Sequence, residues 1–360
     1  MRALLWLIFM VMLFSSFGIV ASPTWSIAAD YIVVDEAVIA DVTSLWTYSA
    51  GDLNGFVSGI TLADVDLDGK LEAIGGTWGN NRIHVVNGED GSLLWMVTIG
   101  NTIYCTPAVG DVDGDLNPEV VFCADGGKTY ALNGEDGTQL WNKSIGSITD
   151  NGVCLRDVNN DTCLDAIIGN SGGTVFALNG TNGSIIWSTP LAKGMSGTPA
   201  VGDIDEDGSL EVVACTVAAP SYIYALNAEN GAIKWNTTEE REFTGYPAIA
   251  DLDGDGKTEV IATTSYESYT GVREGKVVVV NGINGSSLWK RDVGANPCGS
   301  LSIGDVDGDG RLEVVVGTTD GGGTYLKVFD NLGNTKFVLE VIDYRSSSVF
   351  TPILTDLDGN

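Results

Sequence analysis

The chain holds one histidine, His84, among 360 residues. That excludes a His-rich metal centre and leaves any Ser-His-Asp triad a single residue on which to be built. Basic residues are scarce as well, 18 Lys and Arg against 48 Asp and Glu, for a formal charge of -30. Such a surface disfavours nucleic acid and anionic lipid as partners. No amphipathic helix of useful length can be drawn. Beyond the N-terminal apolar run, no second segment is long enough to span a bilayer. No lipobox cysteine lies near that run, which weighs against a lipid-anchored envelope protein.

What the chain has in abundance is one acidic loop, repeated. It begins at Asp64, Asp111, Asp157, Asp203, Asp251, Asp305 and Asp356, at intervals of 47, 46, 46, 48, 54 and 51 residues. The first, DVDLDGKLE, carries Asp64, Asp66, Asp68 and Glu72 at positions 1, 3, 5 and 9. The same positions hold Asp111, Asp113, Asp115 and Glu119 in loop two, and Asp157, Asn159, Asp161 and Asp165 in loop three. Loop four has Asp203, Asp205, Asp207 and Glu211, and loop five Asp251, Asp253, Asp255 and Glu259. Loop six has Asp305, Asp307, Asp309 and Glu313, and loop seven breaks off after Asp356 and Asp358. Alternating carboxylates in a tight turn wrap a hard cation that needs six to eight oxygen ligands, and calcium is the natural occupant. Without a cation, three or four carboxylates in nine residues repel one another unless they splay into solvent. Solvated Asp-Gly turns are the bland alternative. Loop three looks weakest, with Asn159 in place of a carboxylate and Thr162 where glycine is usual; loop two has Leu116 at that position. Of the 48 acidic residues, 25 stand at these ligand positions, so the acidity is mostly that of the loops. Six divalent ions would bring the charge from -30 to about -18.

Between loops the pattern is all β. A short apolar run such as EVVFCA from Glu119 is followed by a glycine turn, then a run such as TYALNG from Thr129. A second turn (GEDG, GTNG or GING) leads to a strand carrying Trp95, Trp141, Trp187, Trp235 or Trp289, with Phe337 in the sixth repeat. Four strands per period of this length make one propeller blade. The tryptophans are expected to pack between neighbouring sheets. The fifth repeat is longer because of a polar insert, SYESYTGVREG from Ser265, which is either a tolerated surface insertion or a partner-binding loop. His84 aligns with Tyr130, Phe176, Tyr224 and Val278 and is expected to fill a packing slot.

Residues 1–22 have the layout of a secretory signal: Arg2, an apolar run from Ala3 to Phe14, and small residues up to a cleavage site near Ala21. An uncleaved anchor is the rival reading. Either one places the rest of the chain outside the cytosol, as a segment over 23–43 and a propeller over 44–360. Leu45, Trp46 and Tyr48 match the end of a repeat, so the chain opens with an orphan outer strand. Seven blades would close if that strand completed the last one, and by comparison with repeat two about 18 residues are then missing after Asn360, as in a fragment. Six sequons, from Asn142, Asn160, Asn179, Asn182, Asn236 and Asn284, are compatible with surface glycosylation. Six cysteines permit disulfides in a secreted protein, with Cys105–Cys123 and Cys154–Cys163 as nearby pairs and small-residue packing as the alternative. GNSGG from Gly169 fits the nucleophile-elbow pattern but lies at a strand-to-strand turn.

The segments GTPAVGDIDEDG from Gly197 and CTPAVGDVDGD from Cys105 resemble the FG-GAP or VCBS repeat of integrin α-subunit propellers and microbial surface proteins. The hairpin YALNGEDGTQLW from Tyr130 resembles the tryptophan repeat of PQQ-like quinoprotein propellers and of the outer-membrane assembly lipoprotein that shares their fold. The first resemblance implies calcium at the blade hairpins and partners elsewhere on the ring faces. Here the sequence departs at position 9, where Glu stands for the usual Asp in five loops. No adjacent Cys-Cys pair occurs, so the redox device of quinoprotein dehydrogenases has no support. The reading that follows is a secreted or cell-surface calcium-stabilised propeller that binds an extracellular protein or glycan, without an enzyme site. The alternatives are a polysaccharide lyase-like enzyme, with Arg273 and Lys276 as candidate basic residues, and an envelope assembly scaffold. Membrane contact would come only through an uncleaved anchor or a region beyond Asn360.

Overall fold

The computed structural model describes residues 46–51, 58–147, 152–195, 197–243, 246–267, 273–294, 301–320 and 323–341, and strands at 6–10, 24–26, 29–33 and 353–355. Every regular element among them is a β-strand, and six four-stranded antiparallel sheets follow one another along the chain. Blade one consists of Thr61–Ala63, Glu72–Gly76, Arg82–Asn87 and Leu93–Thr98, paired in that order. Blades two, three, four and six repeat this meander, beginning at Ala108, Cys154, Ala200 and Ser302. Blade five begins at Ala248 and gains a short strand, Glu242–Phe243, paired with Ser265 and Thr264. The all-β propeller expected from the repeat period is thus the observed architecture.

Burial explains why these residues make these strands. The second strand of each blade is apolar on both faces, as in Glu72–Gly76, Glu119–Ala124, Asp165–Gly169 and Glu211–Cys215, and is buried along its whole length. A strand covered on both faces needs a continuous rather than an alternating apolar run, because a neighbouring sheet lies on each side. The first strands of blades one to five lie beside one another in succession. The outer strand is mostly exposed, and in blades one to three its one buried residue is the tryptophan.

Those tryptophans clasp the next blade. The indole N–H groups of Trp95, Trp141, Trp187, Trp235 and Trp289 donate to the carbonyls of Gly134, Gly180, Ala228, Gly282 and Asn331. Their rings lie against the last glycine of the next blade's turn. A Cβ on Gly183 would stand 2.7 Å from the Trp141 ring, and Gly183 has φ +68°, where glycine is favoured for a second reason.

The insert of repeat five does not form a separate loop over its described length. Glu259–Glu267 and Arg273–Asn281 pair throughout, which makes this the longest hairpin of the array; residues 268–272 lie outside the described part. Trp46 donates to Gly88 O as the other tryptophans do to their next blades, so Thr47–Ser49 follows the outer-strand pattern against blade one. Its neighbour, however, is Thr24–Ser26, paired with Thr47–Ser49. Ile353–Thr355 pairs with Trp6–Met10, which in turn pairs with Ala29–Val33. Cleavage near Ala21 would remove Trp6–Met10 from that sheet.

Candidate metal centres

Each acidic loop joins the first strand of a blade to the second, and its side chains fold back on its own backbone. Position 1 accepts from the N–H of position 6: Asp64 Oδ2 from Gly69 at 3.0 Å, Asp111 from Leu116, Asp157 from Thr162, Asp203 from Gly208, Asp251 from Gly256 and Asp305 from Gly310. Position 5 accepts from position 7, as Asp68 Oδ1 does from Lys70 N at 2.9 Å. Position 6 is left-handed in all six loops, and Leu116 and Thr162 adopt it at φ +74° without being glycine. That conformation costs a side-chain-bearing residue about 1–2 kcal/mol.

Position 9 has a role that the spacing does not reveal. One oxygen of Glu72, Glu119, Glu211, Glu259 and Glu313 accepts from the position-2 N–H, of Val65, Val112, Ile204, Leu252 and Val306, at 2.9–3.1 Å. Asp165 does the same for Val158 at 3.1 Å. These carboxylates are buried under the loop. Burial, with the loop's own aspartates, pushes the Glu119 carboxyl up to about 7 against a partial offset from the Val112 N–H. Burial likewise raises Glu72, Glu211 and Glu259, and raises Asp165 to about 6.

Ligand atoms within 4.8 Å of one another are gathered from Asp64, Asp66 and Glu72; from Asp111, Asp113 and Asp115; and from Asp203, Asp205 and Glu211. Asp251, Asp253 and Asp255, and Asp305, Asp307 and Glu313, form two more such groups. These clusters can hold a metal ion. An all-oxygen donor set suits a hard cation, and in loop one Asp64 Oδ1 is buried without a hydrogen-bond partner. Loop three is different. Its Asn159 Nδ2 donates to Asp161 Oδ2 at 3.0 Å and to Asp165 Oδ1 at 3.4 Å, so an amide stands among the carboxylates. Asp356 and Asp358 lie outside the described residues.

Two lysines also reach these loops. Lys234 Nζ lies 2.5 Å from Asp205 Oδ2, 3.3 Å from Asp207 Oδ2 and 2.8 Å from Glu211 Oε1. Lys336 Nζ bonds Asp307, and lies 3.5 Å from Asp309 Oδ2 and 2.8 Å from Glu313 Oε1. Burial would lower both ammonium groups, but their hydrogen bonds to these carboxylates outweigh it and hold them above the ordinary lysine range. The signal that could have found them is a lysine, in two repeats only, where the others carry an aliphatic residue before the aromatic anchor.

The remaining candidates resolve simply. His84 is buried, and its Nδ1 lies 3.0 Å from the Tyr48 hydroxyl, where the orphan strand meets blade one. Ser171, in the GNSGG turn, donates to Ser147 O, and Asn170 is held by Ile145 O and Thr174 N. Five cysteines are described and all are free thiols. Cys105 donates to Cys123 O at 3.1 Å, and Cys163 sits against Gly114 of loop two, away from Cys154. The disulfide alternative thus finds no pair among the described residues. Cys298 and the lyase candidate Arg273's side chain lie outside the described part.

A family profile described as outer membrane protein assembly factor BamB, of the PQQ-like repeat type, matches residues 43–253 and 172–322. The chain belongs to this BamB-type, PQQ-like propeller family. The resemblance of the tryptophan hairpin is therefore the one supported, and nothing supports the FG-GAP or VCBS resemblance. Among solved structures, BamB from Moraxella catarrhalis is 18% identical with a TM-score of 0.58, over 86% of this chain and 80% of that one. Quinohemoprotein alcohol dehydrogenase ADHIIG from Pseudomonas putida HK5 is 12% identical with a TM-score of 0.62, over 92% of this BamB-type chain and 66% of that one. The computationally designed Ika8 protein is 13% identical with a TM-score of 0.54, over 87% and 94%. At these identities the likeness is one of fold. Comparison with curated protein sequences gives no match.

Proposed function

We propose that this BamB-type propeller is an extracytoplasmic scaffold that binds another protein and whose acidic loops take calcium to hold the blades. The observation that carries the scaffold reading is the family match through blades one to five and into blade six, together with the orphan-strand and tryptophan clasps that make the blades one continuous array. The BamB description names an assembly factor of outer membrane proteins, which favours an envelope location over release into the medium. The scaffold carries its loops at one end. In each meander the turns from first to second and from third to fourth strand share one edge of the sheets, as the ion pair of Lys70 with Glu89 shows. The second-to-third turns lie at the other edge, away from the carboxylates. There Trp78 is exposed and stands 6.5 Å from the Tyr104 ring, and exposed aromatics are the side chains most enriched in protein contacts. The exposed Trp78 supports this edge as the partner-binding side.

Photocrosslinking in the native host tests this. A crosslinker in place of Trp78 is expected to give a discrete adduct with an envelope protein, and one in place of Leu67, in loop one, is expected to give none. Recovery of the protein in the cytosol, or adducts at loop one alone, would contradict the proposal.

A further inference from the structure

In every blade the outer strand slips register one residue before its aromatic anchor, and the residue in the slip is Leu94, Leu140, Ile186, Lys234, Leu288 or Lys336. A bulge re-aims the side chain it carries. At Leu94, Leu140 and Ile186 that side chain packs against the core. At Lys234 and Lys336 the same position delivers an ammonium to positions 3, 5 and 9 of the acidic loop in its own blade. Positions 3 and 9 belong also to the cation clusters of loops four and six.

We propose that the loops fall into two classes: loops one, two and five bind a divalent cation, whereas loops four and six carry their own cation, the ammonium of Lys234 or Lys336, and bind none. Loop three is closed by the Asn159 amide and belongs with the second class. The partition rests on the calcium reading of the loops given above. An ammonium bonded to the position-3 and position-9 carboxylates and a divalent ion held by the same two cannot coexist, because they would be neighbouring like charges competing for the same oxygens. Loops one, two and five have Leu94, Leu140 and Leu288 in the bulge, so no charge arrives from the outer strand.

The other lysines near these loops do not replace it. Within the loops, Lys70 and Lys257 approach the position-5 oxygens of Asp68 and Asp255, at 3.8 and 3.4 Å, Lys70 being held by Glu89 outside the loop, and both remain about half exposed. In loop one the cluster leaves a buried oxygen for a ligand. Glu72, 1% exposed, spends one oxygen on the Val65 N–H and is grouped with Asp64 and Asp66, where Asp64 Oδ1 has no partner. In loops four and six the corresponding second oxygens, Glu211 Oε1 and Glu313 Oε1, are taken by lysine at 2.8 Å. Loop four keeps two buried oxygens without partners, Asp203 Oδ1 and Asp205 Oδ1. Removing Lys234 therefore leaves it a full donor set, and it is the loop in which a new site is easiest to create.

Calcium bound per chain, counted by equilibrium dialysis of the purified full chain after exhaustive chelation, tests the partition. The expected count is three for the parent protein, four for Lys234→Leu or Lys336→Leu, and two for Leu94→Lys, which carries an ammonium into loop one. Leu140→Lys is a second variant of the same design should Leu94→Lys fail to fold. A parent count of five or six that none of these substitutions changes would overturn the partition and leave the calcium reading standing. No calcium bound by the parent or by Lys234→Leu would overturn both.

Discussion

The backbone N–H of position 2 in each acidic loop is buried beneath the turn, and the position-9 carboxylate supplies its acceptor. That makes Glu72, Glu119 and their counterparts structural residues as well as candidate ligands, and it sets their titration. In chelator, the folded Glu119 carboxyl keeps its proton up to about pH 7, against 4.5 ordinarily. Between those values the folded state holds more protons than the unfolded chain, so this group's contribution to stability is full below 4.5 and is lost as pH rises through 7. Glu119→Gln keeps an acceptor for Val112 N but has no charge to lose. In EDTA its melting temperature is expected to exceed the parent's at neutral pH and to match it near pH 4; equal pH slopes would contradict the assignment. A second residue-scale prediction concerns position 6. Leu116→Gly and Thr162→Gly relieve left-handed backbone at a residue with a Cβ, and each is expected to raise stability by about 0.5–1 kcal/mol in denaturant unfolding. The weakness of these two positions is legible in the sequence, because a left-handed turn position selects glycine. The double duty of position 9 is not: spacing identifies an acidic residue there without showing which N–H lies beneath it.

At the scale of the element, the clasp between blades is the unit that makes six sheets into one array. Each clasp combines an indole N–H donor, a carbonyl on the next blade and a glycine that leaves room for the ring. Gly183→Ala is expected to cost about 2–4 kcal/mol, from its positive φ and from the clash with Trp141. Trp141→Phe keeps most of the apolar contact but leaves the Gly180 carbonyl without its donor, for a loss of about 1–3 kcal/mol. Urea unfolding checks both, and an unchanged midpoint for Gly183→Ala would contradict the packing. The blades themselves are legible because a short strand, a turn and another strand are local events with local signatures, from EVVFCA to the closing glycine of GEDG. The bulge before each tryptophan is not, since a slip in pairing leaves the spacing of residues along the chain unchanged. For that reason Lys234 and Lys336 read as ordinary surface lysines until the register is known. The polar insert after Ser265 looks like a loop for a similar reason: polar residues pair as well as apolar ones when both neighbours are available, and Glu259–Glu267 has strands on either side over its far end.

For the whole molecule the governing quantity is charge. A formal charge of -30, with 25 acidic residues at loop ligand positions, sets folding against self-repulsion concentrated along one edge of the sheets. Two lysines relieve part of that repulsion from within, and bound cations are proposed to relieve the rest. The closure of the array is only partly legible: Trp46 marks the orphan strand clearly, whereas the pairing of Trp6–Met10 with Ile353–Thr355 joins segments from opposite ends with no shared motif. The most direct measurement is thermal unfolding of the purified protein in EDTA and in about 10 mM calcium, where sites of about 1 mM affinity are about ten-fold saturated. Three such sites should supply about 4 kcal/mol, for a rise of about 5–6 °C in a protein of this size. Coincident melting curves in EDTA and calcium would contradict the account and return the acidic loops to solvated turns.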